Sequence, residues 1–333
     1  MPERAVTFIE SQKKPIAPYV NQADGARMII PSGYIQTFYN DPKMGRMPDK
    51  FRLIDEFSRL GYEEGKVAIE ILEFLLHFKF ASFEQIRELV IKRGMNEELV
   101  APLMKQFVKL RIMNIFALAK SHLDEIPEDA FLLYCLDFGS TSILSRYSDY
   151  DREVWFSSDA IYGSDIITRH LMVVIFYLQT LATGSKQIVY FKPWKDIRIG
   201  RKELPISAEF WVMKNGEKSV YLLDIENSRD LQELWPEKLE RLAMFLEEDA
   251  RWGQYYSARP KFIFLTYNDR DAVRLGESMY YRTEYDGFRI LTTANMMKGL
   301  DEPVFYTYVP ASEKNPMGGF KARKLGIFAP EGK

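Results

Sequence analysis

Residues 206–226, ISAEFWVMKNGEKSVYLLDIE, read as two strands joined by a two-residue turn. Asn215-Gly216 supplies the turn, because both central residues of the tightest hairpin need positive φ, which Asn and Gly adopt at least cost. That loop fixes the register. Lys214 faces Glu217, Glu209 faces Leu222 and Ser207 faces Asp224. Directly paired residues share a face, as do residues two apart on one strand. Ser207, Glu209, Asp224 and Glu226 are therefore expected on one side of the sheet, together with Trp211, Val220 and Leu222. Carboxylates on one patch repel each other unless a cation, or a Lys or Arg, lies between them. One reading gives Glu209, Asp224 and Glu226 to a hard divalent cation, Mg²⁺ or Mn²⁺, which prefers oxygen ligands and activates water for phosphodiester hydrolysis. Lys238 then places a positive charge beside a phosphate or the carboxylates. The other reading is a solvated hairpin face, against which the apolar neighbours Trp211, Val220 and Leu222 argue. Both stay open at the level of sequence.

Outward from the hairpin, the pattern predicts helices over 164–182, 236–248 and 270–280. Strands are predicted over 187–191, 206–213, 218–226, 261–267, 288–292 and 304–309. Helix, three strands, helix, strand is an α+β order, αβββαβ, assigned to residues 161–312. Residues 313–333, with Lys321, Arg323 and Lys324, read as a tail.

Toward the N-terminus the period changes. Val67, Ile71, Leu72, Leu75 and Phe78 recur at helical spacing, and Ile69, Phe74 and Leu76 make that helix apolar on several sides, as a central bundle helix is. Ser82 before Glu84 and Gln85 signals the cap of a second helix carrying Phe83, Ile86, Leu89 and Val90, closed by Gly94. Asn96 opens a third, with Leu99, Leu103, Phe107 and Leu110 as its stripe and Pro102 near its start. Strand-like runs follow over 112–119 and 131–137. Three helices and a two-stranded ribbon are the layout of a winged helix-turn-helix, whose third helix enters the major groove of DNA. Lys105, Gln106 and Lys109 lie away from the apolar stripe, and Arg111 ends the helix. Lys and Arg suit phosphates and Gln suits a base edge, although an outer helix face is charged for water's sake as well. The winged helix takes residues 58–138. The proline-punctuated residues 1–57 read as an irregular arm and the serine-rich 139–160 as a polar linker with room for a short helix.

Composition sets the limits. A chain of 333 residues with 47% hydrophobic and 28% charged residues is an ordinary globular sequence, long enough for two domains. The single Cys135 excludes an intrachain disulfide and a cysteine-based zinc finger. Lys plus Arg is 45 against 47 acids, a net charge of -2, which argues against a histone-like polycation but leaves room for a local basic patch. The longest apolar run, Leu171 to Leu178, is far short of the roughly 20 residues that a bilayer requires. With no signal-peptide pattern at the start, the expected location is the cytoplasm. His77, His122 and His170 are too scattered for a zinc site, and His170 on an apolar helix reads as a buried core residue. No phosphate-binding loop and no nucleophile elbow occurs.

The order of segments resembles the replication-relaxation family of plasmids and other mobile elements, over about residues 63–310. The resemblance rests on Phe131–Leu136 leading to Gly139, on Thr168–Leu171, Ile206–Phe210, Leu223–Asn227 and Lys238-Leu239, and on Pro260–Thr266 with Arg270 following. It implies a winged helix before a restriction-endonuclease-like domain, double-stranded DNA as partner, replication or mobilisation proteins as further partners, and room for a homodimer. Where the family shows Pro-Asp-Ala, this chain has Ile206-Ser207-Ala208, so Ser207 stands where a metal-binding aspartate is expected, with Glu209, two residues along on the same face, as a substitute. The acid-x-acid pair is kept as Asp224 and Glu226, but Glu226 takes the place of the lysine that assists water activation. The expectation is a DNA-binding protein acting in replication, mobilisation or transcriptional control, with a nuclease-like domain that does not cleave. The alternatives are a metal-dependent nuclease using Glu209, Asp224, Glu226 and Lys238, and a protein-docking module without DNA contact.

Overall fold

Asn215 and Gly216 both take positive φ, 52° and 80°, and Lys214 pairs with Glu217 and Glu209 with Leu222. The hairpin thus has the register that its turn dictates. In this computed structural model the described residues are 20–21, 27–28, 35–38, 49–119, 132–148, 164–182, 187–226, 228–247, 252–283, 285–310 and 319–328. Two compact units divide the chain: Met1–Ile16 with Ile30–Val174, and Ala17–Ile29 with Ile175–Lys333. The short strands β1 (Val20–Asn21) and β2 (Arg27–Met28) pair with each other.

The first unit holds β3 (Ile35–Phe38), α1 (Lys50–Ser58), α2 (Tyr62–Phe78), β4 (Phe80–Ser82), α3 (Phe83–Lys92), α4 (Val100–Lys109), β5 (Met113–Ala119), β6 (Leu132–Leu136) and α5 (Ser140–Tyr147). Helix α2 is buried along its length, from Val67 to Phe78, as its all-round apolar pattern requires. Ser82 and Gln85 form a reciprocal capping box at the start of α3, Gln85 N–H donating to Ser82 Oγ at 3.2 Å and Ser82 N–H to Gln85 Oε1 at 3.0 Å. Gly94, with φ 69°, closes α3 in a Schellman motif in which Met95 N–H donates to the Val90 carbonyl. Pro102 lies in the first turn of α4, where its missing N–H leaves no helical bond unmade. The strands form one antiparallel sheet in the order β3-β5-β6-β4.

The first half of α6 (Ser164–Ala182) belongs to this unit, with Ile167 and Leu171 in a cluster with Phe80, Phe116, Leu133 and Cys135. The rest of α6 belongs to the second unit. There follow β7 (Ile188–Ile199), β8 (Lys202–Lys214), β9 (Glu217–Glu226), α7 (Ser228–Glu233), α8 (Trp235–Glu247), β10 (Lys261–Thr266), α9 (Asp269–Thr283), β11 (Phe288–Thr292), α10 (Thr293–Met296), β12 (Phe305–Val309) and β13 (Gly319–Arg323). The strands make a mixed seven-stranded sheet in the order β13-β12-β11-β10-β9-β8-β7. Strands β9, β10 and β11 are parallel and joined through helices; the flanking pairs are antiparallel. One face packs Val220, Leu222, Phe262, Phe264 and Ile290 on Leu242 and Phe245 of α8 and Leu275 of α9. The other carries Phe210, which stacks on Phe191 and Tyr221 and meets Phe176 of α6. The fold is therefore α+β with a large mixed sheet. Among the described residues, no helix is long and apolar enough to cross a membrane.

Several boundaries differ from the expected ones. The irregular arm contains α1, whose cap is Asp49 accepting from Phe51 and Arg52 N–H, and the edge strand β3 paired with β5. The serine-rich linker contains α5, which buries Ile143 and Leu144 against α1 and α2. Strand β7 runs on through Pro193, which an edge strand tolerates because one row of its N–H groups needs no partner. The tail contributes β13 as the opposite edge, with Lys321 and Arg323 exposed on it. The expected start of a strand at Phe131 lies outside the described residues, as does His122.

Candidate functional site

Helix α4 buries Val100, Leu103, Met104, Phe107 and Val108. Its remaining face carries Lys105 and Gln106, both half-buried, and the exposed Lys109. Arg111 lies beyond the helix in the left-handed region, with φ 56°. A Schellman closure puts it there: Ile112 N–H donates to the Phe107 carbonyl at 2.8 Å and Arg111 N–H to that of Val108 at 3.1 Å. The Arg111 guanidinium reaches Asp137, Nε to Oδ2 at 3.1 Å, and the Arg111 carbonyl accepts from Gly139 N–H at 2.9 Å. Arg111 is thus a clasp between the end of α4 and the end of β6, whereas Lys105, Gln106 and Lys109 stay on the helix face where the sequence puts them.

In the second unit, Ser207, Glu209, Asp224, Glu226 and Lys238 are all buried. Ladder pairing between β8 and β9 ends at Ala208 and Leu223. Beyond it, Ser207 Oγ accepts from Ile225 N–H at 3.1 Å and donates to Asp224 Oδ1 at 3.2 Å. The serine hydroxyl does there what a strand carbonyl does elsewhere, and it orients the Asp224 carboxylate. Lys238 comes from the first turns of α8. Its ammonium lies 2.5 Å from Glu226 Oε1 and 2.6 Å from Asp224 Oδ2. Burial opposes the charge on Lys238, but the Asp224 and Glu226 carboxylates outweigh it and hold the ammonium above the ordinary lysine range.

Glu209 is served by other groups. Tyr256 O–H donates to its Oε2 at 2.8 Å, Trp211 Nε1–H donates to its Oε1 at 2.7 Å, and Lys195 Nζ lies 3.5 Å from Oε2. Burial, followed by the Glu209 charge, pushes the Tyr256 phenol up, so it stays a donor. The three carboxylates therefore do not gather on one ion: an ammonium holds Asp224 and Glu226, while phenol, indole and lysine hold Glu209. Among the described residues, no group of three or more His, Cys, Asp or Glu side chains is arranged to hold a metal. A resident Mg²⁺ or Mn²⁺ does not fit these side chains as they stand, because Lys238 fills the place between the two acids.

Trp211 was readable as a neighbour of Glu209, two residues along on one face. Tyr256 and Lys195 were not: Tyr256 comes from a loop with no register to the hairpin, and Lys195 from the stretch of β7 beyond Pro193.

No family model matches the chain, and no curated protein matches it in sequence. Among solved structures, restriction endonuclease FokI is similar over 71% of this chain and 43% of its own, at 13% identity and a TM-score of 0.26. Protein VC1899 from Vibrio cholerae is similar over 80% and 56%, at 9% identity and a TM-score of 0.26. FokI bound to DNA gives 70% and 44%, at 12% and 0.25. This chain spans about half the length of each. Likenesses this distant fix neither family nor activity.

Proposed function

We propose that this chain is a DNA-binding protein whose first unit is a winged helix, with α4 as its recognition helix. The observation that carries this reading is the split character of α4: one face is sunk in the core, while Lys105, Gln106 and Lys109 occupy the other. The run α2, α3, α4 followed by the antiparallel pair β5 and β6 supports it. The lysines would contact phosphates and Gln106 a base edge, with double-stranded DNA as partner. Arg111, tied to Asp137, would position the helix end and touch no DNA. The second unit would be a nuclease-like module that binds or assembles without cleaving, a reading supported by the ammonium between Asp224 and Glu226. In the organisation of its segments this suits replication, mobilisation or transcriptional control in a plasmid, integrative element or phage.

A gel-shift titration across salt concentrations tests the reading. Replacing Lys105 and Lys109 with Ala should weaken binding and lower the salt slope by about 2, since each lost phosphate contact removes nearly one counterion from the balance. Unchanged affinity and slope in the double variant refute the role of α4. Nicking of supercoiled DNA with Mg²⁺ or Mn²⁺ that disappears in Asp224→Ala would replace the non-cleaving half with a nuclease.

A further inference from the structure

Strands β10 to β13 read KFIFLT, FRILT, FYTYV and GFKAR. Their only charged side chains are Lys261, Arg289, Lys321 and Arg323, all positive in a chain whose net charge is -2. The four share a face. Lys261 lies two residues before Ile263, which pairs with Arg289. Ile290 pairs with Tyr306, so their neighbours Arg289 and Thr307 both turn to the other side, and Thr307 pairs with Lys321. Arg323, two residues along from Lys321, completes the set. Phe262, Phe264 and Ile290 pack on the opposite face, where Asp224 also lies, paired with Phe264. The cations and the buried acids are therefore on different sides of the sheet. We propose that this face of β10–β13 is a phosphate-contact surface, on which the backbone of duplex DNA lies across Lys261, Arg289, Lys321 and Arg323. The proposal rests on the reading of the chain as a DNA-binding protein and adds a contact in the second unit.

An edge strand commonly carries Lys or Arg to discourage pairing with another sheet, and β13 is an edge. That accounts for Lys321 and Arg323 but not for Lys261 and Arg289, which sit on interior strands. Among the described residues, none of the four ion-pairs with a carboxylate, whereas Lys324 beside them does, with Glu302 at 3.6 Å. Arg289 is half-buried, and its Nη1 donates to the carbonyls of Asp286 and Phe288 at 3.0 and 2.6 Å, so dipoles hold its head and no carboxylate cancels its charge. Lys261 Nζ lies 5.4 Å from the centre of the Tyr221 ring, whose π-face steadies that ammonium. From β10 to β13 there are three strand spacings, about 14 Å, wider than one phosphate and matched by a backbone that presents phosphates in series. Protein interfaces centre instead on apolar and aromatic residues, and among the described residues no exposed large hydrophobic side chain belongs to these four strands.

The test is a fluorescence-anisotropy titration of the full-length chain with a labelled duplex of mixed sequence, repeated across salt concentrations. Lys261→Ala with Lys321→Ala should weaken binding and lower the salt slope by about 2, since each lost phosphate contact removes nearly one released counterion. Arg201→Ala with Lys202→Ala takes the same charge from the end of the β7–β8 hairpin and should leave the slope unchanged. All four side chains are exposed, so both variants should keep the circular dichroism of the wild type. A Lys261/Lys321 variant with the wild-type slope overturns the proposal. So does an equal fall in the Arg201/Lys202 variant, because net charge rather than this face would then set the slope. The Lys105/Lys109 variant keeps the two readings apart. If it loses slope while the Lys261/Lys321 variant does not, only the surface proposed here fails; if the reverse holds, only the role of α4 does. A wild type that does not bind the duplex at any salt concentration ends both.

Discussion

Mild acid should weaken the first unit through His170. The ring is fully buried, 4.5 Å from Phe80 and 6.1 Å from Phe78 between centroids. Burial, helped by the positive charges of His77 and Lys79, lowers its pKa from 6.5 to about 3. The folded protein therefore keeps His170 neutral at pH values where the unfolded chain protonates it. A depressed histidine contributes stability that is whole above the unfolded pKa and is lost as pH falls through the window from 6.5 toward 3. Each unit of pH below 6.5 costs about 1.4 kcal/mol, so stability should drop by about 1.3 kcal/mol between pH 7 and pH 5.5 and by about 2.6 kcal/mol by pH 4.5. Other groups titrate in the lower part of that range, and His170→Leu separates them, since the leucine has no proton to bind. The assay is urea unfolding of both proteins at pH 7.0, 6.0 and 5.5, with a probe that reports the first unit. The stability gap between the variant and the wild type should move by about 1.3 kcal/mol in favour of leucine across that span. A gap that stays constant refutes the claim that the fold holds this ring neutral.

Three further substitutions probe the clasp at the end of α4. Arg111→Ala should cost about 1–3 kcal/mol in urea unfolding, because it leaves the buried Asp137 carboxylate without its ion pair. Arg111→Gly should be less damaging than Arg111→Ala by about 1 kcal/mol, since glycine accepts the left-handed φ of 56° that alanine resists; equal losses would show that the backbone there is not strained. Gly139→Ala should lower the melting temperature by several degrees, as an added Cβ would lie 2.8 Å from the Arg111 carbonyl oxygen, a backbone atom that cannot swing away. An unshifted melting curve would mean that the turn relaxes freely.

What could be read in the sequence was chemistry local to a turn or a cap. Asn215-Gly216 set the whole β8–β9 register because two residues determine which way a hairpin closes. Ser82 with Gln85, and Gly94 after α3, worked for the same reason: each satisfies backbone groups within a few positions. Elements held by packing at a distance were hidden. Helix α1 buries only Leu53 and Phe57, too few to make a period, and α5, for which the linker left room, has serines that hide its bounds. Strand β7 continues past a proline only because it is an edge, which no local pattern announces. The site divides along the same line. The shared face of Ser207, Glu209 and Asp224 follows from alternation along the strands. That Tyr256 would serve Glu209, leaving Lys238 to the other two acids, depends on a loop and a helix finding their places on the finished sheet.

The two acid clusters of the second unit illustrate opposite solutions to one electrostatic problem. A buried carboxylate is tolerated when donors or a cation replace the water it has lost. Glu209 gets two neutral donors and a partly exposed lysine, so its charge is spread over groups with ordinary packing roles. Asp224 and Glu226 instead share one ammonium, and losing a single partner of a buried pair costs about 3–5 kcal/mol, whereas apolar replacement of the whole pair is often neutral. Stability alone therefore gives little reason to keep three charges there. An apolar trio would pack as well without the desolvation cost.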